Sequence, residues 1–123
     1  MDLKQYFENT KGLGVLATAD GAGQVDAAVY ARPHVLDDGT VAWIMGDRLS
    51  HRNLQSNPRA AYLFVEHGPG FQGKRLMLTK VREDTDPKLV ESMRRTGRTR
   101  GEDDSARFVV IFRVDQIRPA VGQ

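Results

Sequence analysis

The chain of 123 residues contains no cysteine. That absence removes disulfides, thiolate zinc sites, iron–sulfur clusters and a cysteine nucleophile together, and it excludes a disulfide-stapled secreted scaffold. Long apolar runs are missing too, since no uninterrupted stretch approaches the ~20 residues a membrane-crossing helix needs. The opening MDLKQYFENTKG is polar and amphipathic and lacks the apolar centre of a secretory signal. A cytoplasmic protein with no membrane partner is therefore expected. Charge of one sign is scarce as well: eighteen basic and sixteen acidic residues leave a formal net charge of +2. Basic residues do gather at Arg94, Arg95, Arg98 and Arg100, but Glu102, Asp103 and Asp104 follow at once and partly neutralise their field. With only one tryptophan, three tyrosines and five phenylalanines to stack on bases, nucleic acid is not an expected partner. The three histidines, His34, His51 and His67, are too scattered for a recognisable metal motif, so no metal is expected.

What is present is an ordinary globular composition, 40% hydrophobic and 28% charged, with enough chain for one core and one domain spanning residues 1–123. Leu3, Tyr6 and Phe7 recur at helical spacing and predict a short helix over residues 2–9. Strands are predicted at Gly14 to Ala19 and Val25 to Ala31, joined by the turn residues Asp20, Gly21, Ala22 and Gly23. Pro33 donates no ladder hydrogen bond, so a kink is expected near Arg32 and Pro33. Asp37, Asp38 and Gly39 turn the chain into a third strand, Val41 to Met45, whose nearly continuous apolar character implies burial on both faces. A helix of two turns ending at Asn57 and Pro58 comes next, then strands at Ala60 to Glu66, Lys74 to Glu83 and Arg107 to Val114. Asp86 and Pro87 start a third helix that carries Leu89, Val90 and Met93 inward, followed by a surface loop over Thr96 to Ser105. Six strands with short turns and three small helices fit a closed or nearly closed antiparallel barrel.

The segment most charged with chemical meaning runs from Gly46 to Pro58, GDRLSHRNLQSNP. It leaves a buried strand and opens a helix, where unpaired N–H groups carry partial positive charge. The same turn adds a hydroxyl, an imidazole, two guanidiniums and an amide, which is the composition of a phosphate cradle. A plainer reading has Asp47 or Ser50 capping the helix, with Arg48 and Arg52 reaching into solvent. Apolar residues at Val29 to Arg32 and Trp43 to Met45 offer a place for a flat ring beside the turn. Ser50 next to His51 makes no hydrolase, because adjacent helical side chains diverge and no carboxylate is evident to orient the imidazole. The glycine-rich Gly68 to Gly73 turn, with Phe71 at its tip, is either a hairpin connection or a cover for a ring or subunit seam.

Three stretches, GVLATADGAGQVDAAVYARP, VAWIMGDRLSHRNLQSNPRAAYLFVE and GPGFQGKRLMLTKV, resemble the pyridoxamine 5'-phosphate oxidase-like FMN-binding split barrels. The resemblance covers roughly residues 12–83, and NLQSNPRAAYLF after the polar helix start is its most specific part. It implies a mainly β, six-stranded antiparallel split β-barrel that works as a homodimer with FMN at the subunit interface. Carried over by position, Arg48, Ser50, His51, Arg52 and Asn53 surround the FMN phosphate. Tyr30, Ala31, Arg32, Ile44 and Met45 line the ribityl chain and ring, and Lys74 reaches in from the second subunit. Ser50 stands where many family members have lysine, so the neighbouring arginines must supply the charge, through a fork that lysine lacks. The chain ends at RVDQIRPAVGQ, without the longer C-terminal part in which true pyridoxamine 5'-phosphate oxidases bind substrate, so vitamin B6 oxidation is not expected. The implied function is an FMN-dependent oxidoreductase exchanging electrons with a small-molecule donor or acceptor. Its alternative is a non-catalytic module that binds or carries FMN, deazaflavin or haem.

Overall fold

Runs of small and branched apolar residues, separated by Gly, Asp and Pro, set the strands out along the chain. The computed structural model describes residues 2–85, 88 and 107–122. Its elements in order are helix α1 (Leu3–Asn9), strands β1 (Gly12–Ala19), β2 (Val25–Val29), β3 (His34–Val35) and β4 (Val41–Gly46), helix α2 (Leu49–Ser56), and strands β5 (Arg59–Glu66), β6 (Gly73–Asp84) and β7 (Arg107–Pro119). A short 3-10 turn, Pro69–Phe71, lies between β5 and β6. All the strands join one sheet in the order β2-β1-β5-β6-β7-β4-β3, and every ladder is antiparallel.

The architecture is the expected mainly β one, but the sheet has seven strands rather than six. The additional strand is His34–Val35, paired with Ala42 and Val41. Squeezed between Pro33 and the Asp37–Gly39 turn, it is too short to show an alternation in sequence. Among the described residues the ladders leave β2 and β3 as the two edges of the sheet, with no hydrogen bonds closing it. The helix expected from Asp86 and Pro87 with Leu89, Val90 and Met93, and the loop over Thr96 to Ser105, fall outside the described residues.

The sheet nevertheless rolls up. Trp43 on β4 and Tyr62 on β5 are separated by β6 and β7 in the strand order, which in a flat sheet places them about 14 Å apart. Their ring centroids are 4.8 Å apart. Register shifts in the β6–β7 ladder at Met77/Leu78 and Lys80/Arg82 supply the bends such curvature needs. Inside lie Leu16, Trp43, Met45, Tyr62, Phe64, Leu76, Leu78, Val110 and Phe112. Helix α1 adds Leu3 and Phe7, with Phe7 edge-on to Phe64 at 5.3 Å. Strand β4 is buried on both faces, as its apolar run predicts: Val41, Trp43 and Met45 face this core, while Ala42 packs with Val109 and Ile111 on the other side.

Candidate functional site

At the end of β4 the chain reverses sharply, the Arg48 N–H donating to the Gly46 carbonyl at 2.9 Å across Asp47. Helix α2 begins immediately afterwards with Arg48 as its N-cap, and no side chain makes a capping hydrogen bond. Asp47 and Ser50 therefore do not cap the helix as the plainer reading has it, although Arg48 and Arg52 are exposed as that reading expects. The first amides of α2 have no acceptor within the helix and retain their partial positive charge. Arg48 is exposed and has no ion-pair partner among the described residues. Arg52, also exposed, sits 3.8 Å from the Asp47 carboxylate and donates to the Asp47 carbonyl at 3.3 Å.

Tyr30, just past β2, meets this turn. The buried Ser50 hydroxyl and the Arg48 guanidinium both lie close enough to its hydroxyl to act on its charge. Burial pushes the Tyr30 phenol above its ordinary value and the Asp26 charge adds to that, while the nearby Ser50 hydroxyl and the Arg48 charge pull part of it back. Core aromatics hold the backbone here. The Tyr62 hydroxyl donates to the carbonyls of Tyr30 and Ala31 at 3.2 and 2.9 Å, and Trp43 Nε1 donates to the Ala31 carbonyl at 2.8 Å.

The remaining expected site residues are distributed differently. Arg32 turns to α1 and donates to the carbonyls of Phe7 and Thr10 at 2.7 and 3.0 Å, satisfying the end of that helix. Met45 is a core residue, and Ile44 packs against the cluster of Ala42, Val109 and Ile111. Asn53 is buried and donates to Thr18 Oγ1 at 3.0 Å. Lys74 sits opposite Phe64 with its amine 4.7 Å from the centre of the Tyr6 ring. His51 faces inward: its ring stacks on Phe108 at 3.9 Å, Nδ1 lies 3.3 Å from Asp47 Oδ1, and Nε2 lies 3.0 Å from Glu83 Oε2. The structure thus gathers Tyr30, Arg48, Ser50 and Arg52 at one turn and engages Arg32, Met45, His51, Asn53 and Lys74 in contacts within the chain.

Glu83 is a participant that the sequence reading passed over. Burial pushes its carboxyl up, but hydrogen bonds from His51, Gln55 and Lys80, with the Lys80 charge, outweigh that and hold it below its ordinary value. Asp47 is four residues before His51 on the same helix start, a spacing visible in sequence, whereas Glu83 is brought in by a distant strand. Among the described residues, no group of three or more His, Asp or Glu side chains is placed to hold a metal ion. No helix among them is long and apolar enough to cross a membrane.

No family model matches the chain, and no curated protein matches it in sequence. Solved structures do. An FMN-binding protein from Syntrophomonas wolfei aligns over 98% of this chain and 85% of its own with a TM-score of 0.79 and 14% identity. An F420 reductase aligns over 96% and 98% with a TM-score of 0.70, again at 14% identity. A pyridoxamine 5'-phosphate oxidase-like protein from Lactobacillus delbrueckii aligns over 94% and 89% with a TM-score of 0.68 and 18% identity. At these identities the likeness is one of fold, and the fold is the pyridoxamine 5'-phosphate oxidase-like split barrel.

Proposed function

We propose that this split barrel binds FMN, with the phosphate at the start of α2, and that it is an oxidoreductase passing electrons between a small-molecule donor and acceptor. The observation that carries the reading is the uncapped helix start flanked by two exposed guanidiniums, Arg48 and Arg52, beside the Tyr30–Ser50 hydroxyl pair. These residues suit a phosphate: free amides and the Ser50 hydroxyl donate, and Arg48 presents a fork without a competing carboxylate of its own. Tyr30 and the backbone at Ala31, held by Tyr62 and Trp43, form a rigid edge against which a planar ring can rest. FMN supplies the one- and two-electron chemistry, and the protein supplies position and charge.

The second subunit also belongs to this proposal. On the outward face of β2, β1 and β5, Val29, Val15 and Leu63 stand in one register row, and Ala27, Ala17 and Ala61 in the next. Val29 is 71% exposed, Val25 83% and Leu13 53%. A contiguous apolar sheet face of this kind marks a contact surface. Tyr30 directly follows Val29, so a second copy seated on this face borders the segment that leads to the phosphate turn.

A spectrum of the purified protein and a titration with FMN test the reading directly. Flavin absorption in the visible, or uptake of added FMN at micromolar concentration that Arg48→Met weakens by about tenfold, is expected. A colourless protein that takes up no FMN sinks it. The F420 reductase among the fold relatives makes a deazaflavin the specific second reading, and loading from a deazaflavin-producing host distinguishes it. Stopped-flow mixing with nicotinamide nucleotides then separates an enzyme from a carrier, because a carrier stays oxidised.

A further inference from the structure

We propose that His51 is a positioning residue that keeps the Asp47 carboxylate drawn back from the anion-binding turn, so that a wrong-sign charge beside the phosphate does no harm. The inference rests on the anion-binding reading above. It assigns His51 a task behind the turn instead of a direct contact with the ligand.

Asp47 is the problem the site has to solve. It lies between Gly46 and Arg48, inside the tight turn that leads into α2, and its side chain is 58% exposed. A free carboxylate there opposes an incoming dianion, at a range where solvent screens it only in part. His51 and Arg52, one turn further along α2, are the groups that reach it: Nδ1 of His51 at 3.3 Å, which donates to the carboxylate in the form that carries a proton on Nδ1, and Nε of Arg52 at 3.8 Å. Arg52 is on the surface, whereas His51 is held on several sides. Its side chain is only 7% exposed, its face lies on Phe108 with 13° between the planes, and its second nitrogen is at Glu83.

A histidine serving only as core filling requires none of this. A buried imidazole with two carboxylates and a nearby lysine is a costly substitute for leucine, and polar groups of this kind gain little net stability. What the arrangement does achieve is geometric. Phe108 on β7 and Glu83 on β6 fix the ring, and the ring fixes Asp47. Gln55 and Lys80 donate to the other Glu83 oxygen at 3.1 and 3.2 Å, so Glu83 itself has little freedom.

The test is a double-mutant cycle of His51→Leu and Asp47→Asn with two probes. FMN binding is followed by fluorescence quenching, and inorganic phosphate binding by chemical-shift changes of the Leu49, Ser50 and His51 amides. His51→Leu is expected to weaken both by about tenfold, the effect of releasing one like charge near the ligand. Adding Asp47→Asn restores affinity to within about twofold of the parent, since the neutral amide no longer opposes the anion. A loss that Asp47→Asn does not rescue means His51 merely supports the fold, and unchanged affinity in His51→Leu means it does nothing for the turn; either overturns the proposal. If His51→Leu does not fold, His51→Gln, whose amide is too short to span both carboxylates, goes through the same cycle. Phosphate binding that follows the cycle in a protein that ignores FMN overturns the FMN reading and leaves this one standing. A parent protein that binds neither probe overturns both.

Discussion

Gly14 shows how closely the core and the candidate site are joined at the level of single residues. A Cβ built there runs into the Tyr62 hydroxyl and the Tyr30 carbonyl, so only glycine lets β1 pass this point. The Tyr62 hydroxyl is the group that holds the carbonyls of Tyr30 and Ala31. Gly14→Ala is therefore expected to cost about 1–3 kcal/mol through overpacking, read as a lower urea midpoint at unchanged slope. It should also weaken FMN binding, because Tyr62 cannot move without releasing the Tyr30 segment. An unchanged midpoint means that the two strands separate there without strain.

Helix α2 and strand β6 meet through charge, and this sets a pH dependence. The Glu83 carboxyl is held below its ordinary value of 4.5 because hydrogen bonds from His51, Gln55 and Lys80 outweigh its burial. The unfolded chain consequently binds a proton at Glu83 more readily than the folded one. The stabilisation is fully present above about pH 5 and disappears as pH falls through 4.5 and below. Thermal unfolding of Glu83→Gln should thus depend less steeply on pH than the parent between pH 5 and 3, while a parallel pair of curves counts against the ion pairing. This connection also marks the boundary of what could be read from the chain. The Gly46 to Pro58 turn, both-faced burial of β4 and the hairpin at Asp20 to Gly23 are local patterns and were legible. Contacts such as His51 with Glu83, or Arg32 with the end of α1, join segments far apart in sequence, and residue type alone did not show that those side chains were already engaged. The two-residue strand β3 escaped for the opposite reason, being too short to carry any period, and β7 runs on to Pro119 through Asp115 and Gln116, which interrupt the apolar signal.

At the scale of the whole molecule, the barrel has two unlike surfaces. One is the polar turn with its arginines, and the other is the outward apolar face of β2, β1 and β5. The second surface is the one on which the proposed dimer rests, since Val29 and Val25 are large, apolar and among the most exposed such residues. A charge at Val29 tests this without touching the core, because the residue belongs to an edge strand and points away from the barrel interior. Val29→Glu is expected to convert a dimer into a folded monomer in light scattering, burying a charge in the apolar contact being prohibitive. FMN affinity should therefore fall together with the dimer fraction and recover with it as protein concentration rises. A variant that remains dimeric places the subunit contact elsewhere. One that turns monomeric yet binds FMN as tightly as the parent shows that a single barrel completes the site, with Arg48, Ser50 and Tyr30 sufficient by themselves.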